Sequence, residues 1–170
     1  KNIYSNIIKD NNNNMRRAIK YLKNNQVIGI PTETVYGLAG NAYSNTAVKK
    51  IYKLKDRPLK NPLIIHYGKL KDLYKDAELN KNFYRLYKQL CPGPITFVLN
   101  KKTTSKISTI ATANLNTIAV RFPSNKIAKY ILKNVKFPLA IPSANKSSSI
   151  SPVTPFDVLE DFGKKIKLIL

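Results

Sequence analysis

The chain has 170 residues, enough for one domain with a real core, and 43% of them are hydrophobic, which excludes a disordered chain. Thirty Lys and Arg against nine Asp and Glu give a formal net charge of +21, a balance that attracts polyanions such as nucleic acid, nucleotides or anionic lipid. A single cysteine, Cys91, excludes an internal disulfide framework and a Cys-rich zinc site. No apolar run approaches the ~18–20 residues that cross a bilayer, and the Asn-rich start is unlike a signal peptide. The expected setting is soluble, reducing and cytoplasmic, with no membrane partner. The charge itself has two readings. Abundant Lys, Asn, Ile and Tyr are the bias of an AT-rich genome, yet no acidic residue occurs between Glu78 and Asp157, as a polyanion-facing surface would require.

In chain order, the run Asn11 to Asn14 reads as a loop closing on a helix cap. Met15, Ala18, Ile19 and Leu22 then predict an amphipathic helix over about 14–24. Gln26 to Ile30 reads as a strand ended by Pro31, and Thr46 to Lys55 as a helix with Ala47, Val48, Ile51 and Leu54 on one side. Pro62 to His66 is a buried-type strand, and Phe83, Leu86, Tyr87 and Leu90 mark a helix that stops before Pro92-Gly93-Pro94. Ile95 to Leu99 and Thr117 to Phe122 read as strands separated by a polar stretch, about 101–116. Ile127, Ala128, Ile131 and Leu132 define a helix, Pro138 to Ile141 a strand, and Thr154-Pro155 opens a helix through about Phe162. Ile166 to Leu170 reads as a last strand. Strands alternating with helices predict a single α/β domain over 1–170.

Four segments place polar groups where strands end, the usual position of ligands in open α/β sheets. Pro31-Thr32-Glu33-Thr34-Val35-Tyr36-Gly37 suits a small polar ligand, or a turn that satisfies its own backbone with threonine hydroxyls. Lys55-Asp56-Arg57-Pro58, followed by Asn61-Pro62, offers two cations that can grip phosphates or complement a helix C-terminus. Arg121, inside the apolar run 118–123, either points outward at a sheet edge or is held inward by an anion. Ser143-Ala144-Asn145, continuing through Ser147, Ser148, Ser149 and Ser151, is either a nucleotide-binding turn or a polar loop. The one histidine, His66, ends a strand. No GxxxxGK[ST], no GxGxxG and no carboxylate cluster for a pair of metals is present, so phosphate would be bound by Lys, Arg and backbone amides.

Taken in order, the blocks PTETVYGLAGNA (31–42), KLKDRPLKNPLIIHY (53–67), CPGPITFVL (91–99), TIAVRFP (117–123) and PLAIPSAN (138–145) resemble the YrdC-like threonylcarbamoyl-AMP synthases. The resemblance implies a single-domain twisted, largely mixed β-sheet flanked by helices around a concave basic cavity. It implies a nucleotidyltransferase that converts L-threonine, bicarbonate or CO2, and ATP to threonylcarbamoyl-AMP and pyrophosphate. The product would pass to a tRNA threonylcarbamoyltransferase for t6A modification of tRNA. By the same resemblance, Lys55, Arg57, Ser143 and Asn145 form the catalytic KxR and SxN elements, and Asn61, Thr117 and Ser151 join Lys55, Arg57 and Asn145 on ATP. Thr34, His66, Arg121 and Ser143 hold the threonine. Mg2+ would be held mainly by ATP, with no protein metal site. The alternative is a non-catalytic module of the same fold that binds tRNA or double-stranded RNA. Asp56 and Ser148 stand where many relatives carry Gly, and Cys91 where they often carry Trp; Asp56 is expected to point to solvent. The family continues beyond the equivalent of Leu170 through a further strand and, in some members, a second domain.

Overall fold

The computed structural model describes residues 3–147 and 149–170; Ser148 lies outside the described residues. Six strands form one sheet: β1 (Ile28–Ile30), β2 (Gly37–Asn41), β3 (Ile64–His66), β4 (Phe97–Asn100), β5 (Thr117–Arg121) and β6 (Leu139–Ala140). Their spatial order is β1-β2-β6-β3-β5-β4. β3 and β5 run parallel, and the other neighbouring pairs are antiparallel. The alternation of elements predicts the α/β class, and the family resemblance implies the mixed sheet.

The helices are α1 (Asn12–Lys23), α2 (Asn45–Lys55), α3 (Leu70–Leu73), α4 (Lys81–Leu90), α5 (Lys126–Val135) and α6 (Pro155–Phe162). α1 starts two residues before the expected position, because the first asparagine of the run is itself the cap: the Asn11 side chain accepts from the Asn14 amide at 3.0 Å. Ser44, Asn80 and Asn125 cap α2, α4 and α5 in the same way. At α6 the Thr154 hydroxyl and the Asp157 carboxylate satisfy each other's backbone amides, with Pro155 in the first turn.

Two apolar layers follow from the alternation of strand side chains. Met15, Ala18 and Leu22 of α1 and Ala128, Ile131 and Leu132 of α5 pack with Ile28, Ile30, Ala39 and Leu139 on one face. Val48 and Ile51 of α2, Phe83 of α4 and Val158 and Leu159 of α6 pack with Leu38, Ile65, Ile118 and Val120 on the other. The first layer covers the β1-β2-β6 end and draws no residue from β3, β4 or β5. Over β3 and β5 that face carries His66, Thr117 and Arg121 together with Ile64 and Ala119.

Two elements were not expected from the sequence. β2, GLAGN, has two glycines and no β-branched residue, yet four of its five residues are buried between β1 and β6. Close packing decides it: a Cβ on Gly37 would lie 2.3 Å from Ile141 Cγ2, and one on Gly40 3.0 Å from Ile51 Cδ1. α3 is a single turn. In the segment Ile166 to Leu170, Ile169 bridges both Ile7 and Gly29 in parallel, and Leu168 and Leu170 make the backbone hydrogen bonds to Gly29. The polar stretch 101–116 has no strand or helix after its first residue, but it is anchored. Ser105 Oγ donates to Asp76 Oδ1 at 2.7 Å, the Lys106 amide donates to the same oxygen, and Tyr43 and Tyr67 hydroxyls donate to Oδ2. Asp76 is fully buried, and these four donors satisfy it.

Candidate active site

A cavity of about 270 Å³ opens on the uncovered part of the sheet. Its wall includes Thr34, Arg57, His66, Arg121 and Ser143, so five of the expected residues from four separate segments share one space. β3 and β5 set two of them: His66 and Arg121 are register partners across the parallel pair, so their side chains leave the same face side by side. β5 is hydrogen-bonded on both sides. The edge-strand reading of Arg121 is therefore excluded, and the arginine points into the cavity.

The Arg121 guanidinium donates from Nε and Nη2 to Thr96 Oγ1, at 3.2 and 2.9 Å. Arg57 donates from Nε to the Asn61 carbonyl at 3.0 Å and from Nη2 to the Pro62 carbonyl at 2.9 Å. Each guanidinium carries five N–H groups, so each keeps donors free for a ligand. Among the described residues the ion pair found is the exposed Lys75–Asp72, and neither arginine has a carboxylate partner. Two fixed cations thus face a shared space with no protein anion, an arrangement suited to carboxylate or phosphate.

His66 is 1% exposed. Burial, reinforced by the neighbouring Arg121 charge, pushes its pKa from 6.5 down to about 3, so the ring is neutral at pH 7. Nδ1 lies 3.3 Å from the Ile64 carbonyl, which favours the proton on Nδ1 and leaves Nε2 an acceptor.

In the first segment one threonine closes the turn and the other reaches the cavity wall. Thr32 Oγ1 donates to the Val35 carbonyl at 2.6 Å and accepts from the Thr34 and Val35 amides, closing the turn. Thr34 is exposed and lines the cavity. Glu33 Oε2 accepts from the Ser124 amide at 3.3 Å, tying this loop to the exit of β5.

Lys55 and Asn145 stand behind the wall instead of in it. Lys55 is 1% exposed, and its ammonium donates to the Ser143 carbonyl at 2.6 Å and the Asn145 carbonyl at 2.5 Å. In return the Lys55 carbonyl accepts from the Ser147 amide and hydroxyl. Burial, aided by the Arg57 charge, lowers the Lys55 pKa to about 8. Asn145 Nδ2 donates to the Ser149 carbonyl at 2.6 Å. Asn61 is exposed beside Arg57, and Ser151 is exposed next to Pro152, whose carbonyl accepts from the Tyr36 amide. Thr117 shares the Arg121 face of β5 but sits four residues away, about 13 Å along the strand. None of these three lines the cavity.

Asp56 is exposed and caps α2 in the left-handed region at φ 50°, which explains why glycine suits this position. It faces a separate groove with Lys50 and Lys53, away from Arg57's cavity. Thr96 is the contact that the sequence reading missed. It lies one register step from the pair Phe97–Val120 and so opposite Arg121; in the sequence it is only a hydroxyl within the run Ile95 to Leu99.

The mixed α/β sheet thus gathers two guanidiniums without a carboxylate partner among the described residues, a neutral imidazole and several hydroxyls around one cavity at its strand ends. The chain belongs to the Sua5/YciO/YrdC family, whose model, described as "Telomere recombination", matches residues 20–170. It is 40% identical over 157 residues to the threonylcarbamoyl-AMP synthase of Pyrococcus abyssi, covering 92% of this chain and 46% of that one. The Bacillus subtilis protein of the same name is 38% identical over 159 residues, covering 92% and 45%. The chain therefore spans a little under half the length of these relatives. The crystal structure of P. abyssi Sua5 complexed with L-threonine superposes with a TM-score of 0.90 at 38% identity, covering 96% of this chain and 48% of that one. The E. coli YciO structure, at 23% identity and a TM-score of 0.80 over 91% of this chain and 75% of that one, shares the fold.

Proposed function

We propose that the chain is the synthase domain of an L-threonylcarbamoyladenylate synthase, acting on L-threonine, bicarbonate or CO2, and ATP. The observation that carries this reading is the pair Arg57 and Arg121, both without a carboxylate partner among the described residues, facing one cavity beside a neutral His66. The name and threonine complex of the P. abyssi relative support the choice of amino acid. At about 270 Å³ the cavity falls just below the roughly 300–1,000 Å³ of drug-sized pockets, room for a small amino acid without a whole nucleotide.

In this reading Arg121 takes the threonine carboxylate, and Thr34 and His66 Nε2 take its amine or hydroxyl. The amine adds to CO2 and loses a proton, giving the carbamate. A carbamate oxygen then bonds to the α-phosphorus of ATP as the bond to pyrophosphate breaks. Such a displacement needs alignment and charge neutralisation more than a protein nucleophile, and Arg57 and the Ser143 hydroxyl supply them. Lys55 and Asn145 hold the Ser143 loop. Asn61, Thr117 and Ser151 lie outside the cavity, where they would meet the rest of the nucleotide. Mg2+ would arrive with the triphosphate. The product's mixed anhydride calls for an acceptor enzyme, a tRNA threonylcarbamoyltransferase in the same compartment, taken to be the cytoplasm. No helix among the described residues is long and apolar enough to cross a membrane.

The test is incubation of the chain with radiolabelled bicarbonate, threonine and ATP. Labelled threonylcarbamoyl-AMP is the expected product, and a yield no higher than the protein-free control, with the protein folded, overturns the reading.

A further inference from the structure

We infer that Thr96 is a positioning residue for the amino-acid carboxylate, acting through Arg121; the inference rests on the reading of the cavity just given. An arginine on a strand face has four rotatable side-chain bonds, so the strand alone does not fix the plane of its guanidinium. Here one oxygen does. Thr96 Oγ1 accepts both Nε–H, at 3.2 Å, and one Nη2–H, at 2.9 Å. Two bonds to a common acceptor from one edge of the fork set its orientation and leave both Nη1 hydrogens and the second Nη2 hydrogen available.

The backbone places that oxygen. Phe97 pairs with Val120 in the antiparallel ladder, so Thr96 falls opposite Arg121 at the mouth of the β4–β5 pair. A β-branched side chain has few χ1 rotamers, which holds the hydroxyl where the strand directs it. Both residues are half-buried, and among the described residues no carboxylate pairs with the guanidinium. The usual means of holding a cavity arginine, an acidic side chain, would cancel the charge that the ligand is to meet. A neutral hydroxyl orients the fork and leaves its charge uncompensated. Thr96 therefore serves affinity for an anionic group without itself touching it.

The experiment compares the wild-type chain with Thr96→Val, which keeps the shape and removes the oxygen, and Thr96→Ser, which keeps the oxygen. L-threonine binding is read by calorimetry, and KM and kcat for both substrates are read in the labelled-bicarbonate assay. Thr96→Val is expected to weaken threonine binding about tenfold, the equivalent of one lost orienting hydrogen bond. Its KM for ATP should stay within about twofold of wild type, and Thr96→Ser should recover most of the loss. Wild-type threonine affinity in Thr96→Val overturns the inference, as does a Thr96→Ser protein as impaired as Thr96→Val. A wild-type chain that neither binds threonine nor forms product removes the functional reading and this inference with it, an outcome distinct from the variants matching an active wild type.

Discussion

The Lys55 ammonium nitrogen lies 2.6 Å from the Ser143 carbonyl oxygen, 88 residues further along the chain, and this bond joins the end of α2 to the turn after β6. With the Asn145 carbonyl it satisfies a buried cation by backbone dipoles. Lys55→Met would leave both carbonyls unmatched at a cost of about 1–3 kcal/mol each, partly offset because no ammonium need be desolvated. A net loss of about 2 kcal/mol is expected in urea unfolding, with faster exchange of the Ser147 amide that bonds to the Lys55 carbonyl. Unchanged stability and exchange would show that the clamp does not hold this turn.

Arg57→Met removes a cavity cation whose guanidinium is braced by the Asn61 and Pro62 carbonyls. Charge-assisted bonds contribute about 1.5–3 kcal/mol each, so the KM for ATP should rise at least tenfold. Threonine affinity, read by calorimetry without nucleotide, should change by less than about threefold. Equal losses for both ligands would mean that Arg57 does not separate the nucleotide from the amino acid.

His66 gives the fold an acid sensitivity whose direction follows from its environment. The folded pKa, about 3, lies below the unfolded 6.5, so the unfolded chain takes up a proton that the folded chain refuses. The contribution of neutral His66 is fully present above pH 6.5 and is lost as pH falls from there toward 3. Each pH unit inside that window costs up to about 1.4 kcal/mol. Urea midpoints measured between pH 7 and pH 4.5 should therefore fall more steeply for wild type than for His66→Gln, and parallel slopes would contradict the assignment.

Gly37→Ala tests the close approach beneath the cavity. The added methyl would sit 2.3 Å from Ile141 Cγ2 and 3.2 Å from the Pro142 carbonyl. Relief requires β2 and the turn after β6 to part, at a cost of about 1–3 kcal/mol. Thermal unfolding should register that loss, and threonine binding should weaken because Gly37, Ile141 and Pro142 all line the cavity. A variant as stable as wild type would mean that the turn yields without penalty.

Helices with caps and apolar stripes were legible at once: Thr154-Pro155 opens α6 where the motif places it, and Ala47, Val48 and Ile51 are buried on α2. β2 was not, because glycine and alanine carry no strand propensity, and the strand exists through the space its neighbours leave. For the site, the ordered motifs identified Thr34, Arg57, His66, Arg121 and Ser143, which the fold brings together. The same motifs name Lys55, and its ammonium bonds to the Ser143 and Asn145 carbonyls, a direction of the side chain that residue type alone does not carry. Thr96 was hidden for a different reason. Its role depends on the β4–β5 register, and register comes from long-range pairing.

The parallel step between β3 and β5 has a consequence for how selectivity could change over time. His66 and Arg121 are spaced by the amide ladder, and no loop intervenes between them. Insertions or exchanges in the surrounding turns can alter what enters and how fast it leaves, yet the spacing between imidazole and guanidinium stays with the sheet. A descendant seeking a ligand of different length would have to replace one of the two side chains, because the distance between their attachment points is not open to gradual adjustment.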